Sequence, residues 1–386
     1  MRDEGEASSS SSSSAAALRF ARSLNPVAKE LLAGGAAGAV AKTAVAPLER
    51  AKILFQTGSA TGTAGSLSTP RVLGLIVRHE GAAGLWKGNA ASVLRVVPYA
   101  ALHFSAYERY REAFQKLGSG QGAPAWCQSL ARTPTVDLLA GSAAGATAVL
   151  FTYPLDLIRT RLAWRGSEIA APATTRATAQ ARAASLPTPS MAGALSSLAR
   201  REGVLGLYKG VGPTLLGVFP YAGLKFFVYQ YLKKVYLTSP AAATSGGAHA
   251  RNKRSRSLRD SPYSPSADVP TSVKLVFGAS AGLIGQTITY PLDVVRRRMQ
   301  VQDLVREASG SRSSAGGAGS SAPAEGAALP YIKNTWHGLR LIAKLGVRKG
   351  LYAGLSINYL KVIPSTAIGF AVYDTLKDVL RHKTSI

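Results

Sequence analysis

The sequence predicts an all-α membrane protein made of three tandem two-helix repeats. Three observations carry this expectation. The pattern proline, any residue, acid, two residues, base occurs as Pro47-Leu48-Glu49-Arg50-Ala51-Lys52, as Pro154-Leu155-Asp156-Leu157-Ile158-Arg159 and as Pro291-Leu292-Asp293-Val294-Val295-Arg296. Each copy closes an apolar segment rich in small residues. A second apolar segment, with its own proline at Pro98, Pro220 or Pro364, follows each copy. The motif prolines are spaced by 107 residues (Pro47 to Pro154) and 137 residues (Pro154 to Pro291). Such recurrence marks one body of similar units rather than independent domains.

Residues 1–26 read as a disordered tail, with serine from 8 to 14. Asp3, Glu4 and Glu6 argue against an acid-poor transit peptide. Residues 17–24 also suit a short amphipathic helix. Repeat 1 covers residues 27–116, repeat 2 134–236 and repeat 3 271–381, with a low-complexity basic loop at 237–270.

In each repeat the first helix opens with glycines four apart: Gly34 and Gly38, Gly141 and Gly145, Gly278 and Gly282. That spacing bares one helix face for close packing in lipid. A polar stretch follows, ending in Glu80-Gly81 with Leu85-Trp86-Lys87-Gly88, Glu202-Gly203 with Leu207-Tyr208-Lys209-Gly210, and Leu345-Gly346 with Leu351-Tyr352-Ala353-Gly354. The second helix ends in an aromatic, a polar residue and a base: Tyr107-Glu108 with Arg111, Tyr229-Gln230 with Lys233, Tyr373-Asp374 with Lys377. Six helices of roughly 25 residues would each span a ~30 Å hydrocarbon core with some tilt. Residues 57–71, 164–192, 240–270 and 302–330 read as polar connectors. The basic run at 251–256 reads as a solvated loop, or as a contact for anionic lipid headgroups.

The 386 residues carry a formal net charge of +26 and one cysteine, Cys127. A lone cysteine excludes an intrachain disulfide and a Cys-rich metal site. Mean hydropathy is only +0.08, because long polar inserts dilute the apolar segments. The basic excess suits phosphate-bearing partners. A soluble nucleic-acid-binding protein would explain that charge but not the repeated ion-pair motif, so no nucleic acid is expected. No HExxH, P-loop, GxSxG or EF-hand pattern occurs, so neither an enzyme nor a cofactor or metal is expected.

These motifs resemble the mitochondrial carrier family over nearly all of residues 27–381. Within it, the likeness is greatest to the coenzyme A carriers of plants and animals, through Ala41-Lys42-Thr43-Ala44-Val45-Ala46, Arg95-Val96-Val97-Pro98-Tyr99-Ala100-Ala101, Pro220-Tyr221-Ala222-Gly223-Leu224-Lys225-Phe226 and Gly282-Leu283-Ile284-Gly285-Gln286. ADP/ATP exchangers, the neighbouring alternative, show three arginines followed by two methionines. Here Arg296-Arg297-Arg298-Met299 precedes Gln300. The resemblance implies a monomeric six-helix bundle in the mitochondrial inner membrane with pseudo-threefold symmetry about a central cavity. It also implies short matrix helices, both termini in the intermembrane space, alternating access, and membrane lipids, anionic ones such as cardiolipin, as partners.

Acid and base three residues apart share one helix face. By resemblance, a matrix gate would pair Glu49 with Arg159, Asp156 with Arg296 and Lys52 with Asp293, braced by Gln56 and Gln300; repeat 2 has Ala163 at that offset. An intermembrane-space gate would use Glu108, Arg111, Gln230, Lys233, Asp374 and Lys377, with neutral Gln230 weakening it.

A carrier of an asymmetric solute needs unlike walls, so substrate contacts are expected where the repeats differ. Five before the motif proline stand Lys42, Val149 and Gln286; three before the second proline stand Arg95, Gly217 and Lys361. Arg95, Tyr99 and His103 recur every four residues on one face. Together with Lys225, and with Gly217, Val218 and Tyr221 as a small wall with an aromatic edge, these suit a phosphorylated, adenine-containing anion. Coenzyme A, or a related adenosine phosphate such as adenosine 3′,5′-bisphosphate, is the expected substrate, with an adenine nucleotide carrier of the ADP/ATP or ATP-Mg/phosphate type as the alternative.

Overall fold

The computed structural model describes residues 26–58, 68–119, 133–165, 191–238, 270–315 and 330–382. Among these residues the secondary structure is helical, without strands. The tail, the basic run at 251–256 and most of the connectors lie outside the described residues. Six long helices alternate with three short ones. Repeat 1 contains α1 (Pro26–Thr57), α2 (Thr69–Glu80) and α3 (Asn89–Ser119); repeat 2 contains α4 (Thr133–Trp164), α5 (Met191–Gly206) and α6 (Val211–Thr238). Repeat 3 contains α7 (Thr271–Ala315), α8 (Thr335–Lys344) and α9 (Leu355–His382).

Every long helix runs through an internal proline: Pro47, Pro98, Pro154, Pro220, Pro291 and Pro364. Threonines keep their hydroxyls satisfied by bonding back one turn, as Thr43 does to the Ala39 carbonyl (2.8 Å) and Thr152 to that of Ala148 (2.7 Å). That habit lets polar side chains sit in an apolar helix. Among the described residues three stretches are long and apolar enough to cross a membrane: Thr135–Trp164, Val211–Thr238 and Val347–Asp378. The long helices α1, α3 and α7 fall short of that threshold.

The long helices pack as a closed circuit. Contacts are most extensive between repeats, α3 on α4, α6 on α7 and α9 on α1; α1 on α3 and α4 on α6 add contacts within repeats, and α7 touches α9 more lightly. The short helices tuck under the motif ends. Val72 and Ile76, one turn apart on α2, bury against Leu54, Phe55 and Ile357. Ile342 of α8 joins Tyr290, Val294, Val295 and Ile332 in a matching cluster. Gly81 and Gly346 follow the ends of α2 and α8 with φ of 77° and 95°, and Gly203 kinks α5 three residues before its end with φ of 71°, a region open to glycine at no steric cost.

Two expectations need correction. The paired glycines are not the close-packing face throughout: a side chain at Gly34, Gly278 or Gly282 would meet open space. The tight approaches fall at Gly35 and Gly38, against Val97 and Val96, and at Gly285, where a Cβ would lie 3.4 Å from the Tyr221 carbonyl. The connector at 302–330 is also shorter than its composition suggests, because α7 continues to Ala315. Its first residues work structurally: Gln302 accepts the Ile332 backbone N–H (3.1 Å), and Asp303 is ion-paired to Lys209 (2.7 Å).

Candidate functional site: a buried ion-pair cluster

Where the three motif helices converge, their acids and bases meet across the repeats. Glu49 on α1 pairs with Arg159 on α4. Asp156 on α4 pairs with Arg296 on α7 at 2.7 Å, and Asp293 on α7 with Lys52 on α1 at 3.0 Å. Two glutamine amides reinforce the set. Gln56 donates to Asp293 (3.1 Å), and Gln300 donates to Asp156 (3.1 Å) and to the Tyr153 hydroxyl (3.1 Å). Both glutamines are fully buried.

The bases expected to meet a substrate reach into the same cluster. Arg95 donates to Asp156 (2.9 Å) and to Thr152 (3.1 Å), with its guanidinium 5.2 Å from the Tyr99 ring centre. Lys42 bonds Glu49 at 3.2 Å, and Lys361 lies 3.5 Å from the same carboxylate oxygen. Seen in sequence, Lys42 has no fixed partner within its own repeat; the structure supplies one seven residues on, two helical turns along the same face. Arg297, which sequence reasoning passed over, also reaches Asp156 (3.0 Å) and takes Gln300 Oε1 (3.0 Å) and Thr160 as acceptors. Seven cations thus surround three carboxylates, leaving four positive charges uncompensated.

The carboxylates are unequally held. Among the described residues Glu49 and Asp156 each form ion pairs with three cations, whereas Asp293 pairs with Lys52 and accepts from Gln56.

The model of the mitochondrial carrier protein family matches residues 23–118, 131–240 and 267–384, once per repeat. The chain belongs to the mitochondrial carrier family. Full-length relatives agree. It is 44% identical over 367 residues to mitochondrial carrier protein CoAc1 of Arabidopsis thaliana, covering 93% of this chain and 92% of that protein. It is 42% identical to mitochondrial carrier protein CoAc2 of Zea mays, covering 92% and 87%. It is 37% identical to mitochondrial coenzyme A transporter SLC25A42 of Xenopus tropicalis, covering 92% and 86%.

This carrier's remaining candidate residues lie further from the motif ends. His103 stacks on Tyr99 at 6.0 Å, and Tyr221 packs where a Cβ at Gly285 of α7 would meet its ring at 3.5 Å. Gly217 faces Leu292 and Val218 faces Gly145, so both serve helix packing. Gln286 is half-buried beside the close approach at Gly285, and Lys225 is exposed. Glu108, Asp374 and Lys377, at the far ends of the second helices, are exposed. Gln230 buries its Oε1 without a hydrogen-bond partner among the described residues.

Below the cluster runs a second set of bonds that sequence reasoning missed. Arg50 donates Nε to the Ala163 carbonyl (3.1 Å), Arg161 to that of Gln300 (3.1 Å) and Arg298 to that of Gln56 (3.0 Å). Each arginine therefore binds the carbonyl that stands nine residues past the next repeat's motif proline; Ala163 and Gln56 lie in last turns, where that carbonyl is otherwise an orphan, and Gln300 lies within α7. Acids from the short helices steady the first two. Glu80 binds Arg50 (2.8 Å) and Lys87 (2.5 Å); Glu202 binds Arg161 (2.5 Å) and Lys209 (3.0 Å). Leu345 and Ala353 occupy the matching places in repeat 3, and Arg298 makes no ion pair among the described residues. Burial pushes the Glu202 carboxyl up, but hydrogen bonds from Arg161 and Lys209 outweigh it and hold the group below its usual range. Burial likewise opposes the charge on Lys209, and the bonds to Asp303 and Glu202 prevail and raise it. Gly88, at φ 85°, lies so near the Arg159 carbonyl that a Cβ would sit 2.7 Å from it, so only glycine fits where α3 starts beneath α4.

Proposed function

We propose that this chain is a mitochondrial inner-membrane carrier that exchanges coenzyme A, or a close adenosine phosphate such as adenosine 3′,5′-bisphosphate, by alternating access. The observation that carries the reading is the excess of four positive charges in the central cluster. Coenzyme A bears a phosphate monoester and a diphosphate, about four negative charges at neutral pH. The coenzyme A carriers named among its relatives add support over more than nine-tenths of the chain.

In this reading the six long helices span the bilayer about a pseudo-threefold axis, with both termini in the intermembrane space. The protein acts as a monomer among anionic lipids such as cardiolipin. The paired motif acids and bases form the closed matrix gate, with Gln56 and Gln300 as braces. Glu108, Arg111, Gln230, Lys233, Asp374 and Lys377 form the opposite gate.

The mechanism follows from the shared carboxylates. Substrate phosphates draw Lys42, Arg95 and Lys361 away from Glu49 and Asp156. Arg suits bidentate phosphate contacts and Lys a point contact. The adenine ring lies between the Tyr99 and Tyr221 faces, near His103. Each displaced cation weakens the closed gate, so substrate binding itself favours opening. A ligand shifts such an equilibrium only by its differential affinity for the two states, and phosphates competing for gate cations supply that difference. No cofactor enters this cycle.

The test is a competition panel in proteoliposomes. Unlabelled coenzyme A and adenosine 3′,5′-bisphosphate should block uptake of labelled coenzyme A more strongly than ADP, ATP or dephospho-coenzyme A. Stronger block by ADP and ATP would assign the chain to adenine nucleotide exchange.

A further inference from the structure

Asp137, near the start of α4, answers to no role in the sites above. Its Oδ1 accepts two hydrogen bonds from the neighbouring repeat, from the Tyr107 hydroxyl (3.0 Å) and from Arg111 Nε (2.9 Å). Tyr107 and Arg111 are the aromatic and the base of the tag that ends α3. In the proposed cycle Arg111 must meet the acid of another repeat to close the intermembrane-space gate. Here it is held instead by a first-helix acid across the seam from its own helix.

The matching positions, seventeen residues before the motif proline, are Glu30, Asp137 and Lys274. Repeat 3 carries a lysine, Lys274, at this place, and the tag base of the helix it packs on, α6, is Lys233. Val273 and Phe277, beside Lys274, pack on Tyr236 and Leu237, so α7 meets α6 there much as α4 meets α3. The same place in the fold thus carries an acid that holds a gate base in repeat 2, and a base in repeat 3.

We propose that Asp137 is a positioning residue of the intermembrane-space gate: it parks Arg111 while that gate is open, and its hold on Arg111 competes with gate closure. The proposal rests on the alternating-access reading. Because neutral Gln230 leaves the tag gate with only Glu108 and Asp374 as acids, a competitor for one of its bases shifts the balance noticeably. Both partners are more than a third exposed, with side-chain exposures of 43% and 38%, so solvent screens the pair. The expected effect of releasing it is about two- to five-fold in the open-to-closed ratio.

The experiment uses the full chain in proteoliposomes, with Cys127 replaced by serine and a reporter introduced by Ser365→Cys, at the α9 position that follows Pro364 as Tyr99 follows Pro98 and Tyr221 follows Pro220. A membrane-impermeant maleimide is added on the intermembrane-space side. Asp137→Asn should slow labelling about two- to five-fold, Asp137→Glu should restore most of the rate, and Asp137→Asn should change nothing further in an Arg111→Ala background. An unchanged or faster rate overturns the proposal. So does an equal slowing with Arg111 absent, because Asp137 would then act through packing or Tyr107 alone. Coenzyme A uptake is measured on the same vesicles. Normal uptake with no Asp137 effect removes only this role, whereas absent uptake in the parent protein removes the transport reading itself.

Discussion

Replacing Asp156 by asparagine should open the motif end. Asp156 is 1% exposed and accepts from Arg296 (2.7 Å), Arg95 (2.9 Å), Arg297 (3.0 Å) and Gln300 (3.1 Å). Removing one partner of a buried ion pair costs about 3–5 kcal/mol, because the remaining charge is stranded. The lower end applies here. Arg95 keeps Thr152, Arg297 keeps Gln300, and the asparagine oxygen still accepts one bond. About 3 kcal/mol is a shift of roughly a hundred-fold in the balance between gate-closed and gate-open forms. The loss falls on the matrix-closed state, so the unliganded protein should move toward the matrix-open state. With the Ser365→Cys reporter, labelling from the intermembrane-space side should fall at least about tenfold, and Asp156→Glu should fall between the two. Unchanged or faster labelling of well-inserted Asp156→Asn protein would refute the claim that this carboxylate holds the gate.

Other outcomes follow from the same geometry. Glu202 is held below its unfolded value of 4.5, so its stabilising share is complete above that pH and fades as pH falls through the folded value. The gap in Tm between wild type and Glu202→Gln should therefore be flat above pH 4.5 and shrink below it; a gap that widens in acid would reverse the assignment. Lys361→Ala should abolish most coenzyme A uptake, with little loss of Tm because the lysine shares Glu49 with Arg159 and Lys42; normal uptake would remove Lys361 from the site. Deleting 316–329 should leave uptake near wild type, whereas Asp303→Ala should lower Tm by releasing Arg161 and Lys209. Equal tolerance of both changes would show that the extended α7 has no structural role.

The fold was legible because the repeat supplies its own internal comparison. Three prolines, each followed by an acid and a base on one face, indicate helices that meet at their ends. Arg297 was hidden, because a base between two other arginines has no phase of its own. Arg50, Arg161 and Arg298 converge on matching carbonyls, yet Arg50 follows its proline by three residues and the others by seven. A register comparison cannot align them; only the backbone geometry can. Asp137 was passed over because its partners, Tyr107 and Arg111, belong to another repeat, 30 and 26 residues away in the chain. The partnership of Lys42 with Glu49 was available in their two-turn spacing, but Lys42 was weighed only as a charge facing substrate. At 302–315 the composition of a linker concealed a helix, because Ser, Gly and Ala continue α7 once its earlier turns are fixed by packing.

If the four-charge cationic cluster serves the phosphates of coenzyme A, transport must depend on it. Uptake of labelled coenzyme A by liposomes that contain the purified protein and internal adenosine 3′,5′-bisphosphate tests this most directly. Uptake should be saturable, should require the internal anion and should be lost in Arg95→Ala. Uptake of ADP and ATP with none of coenzyme A would contradict it.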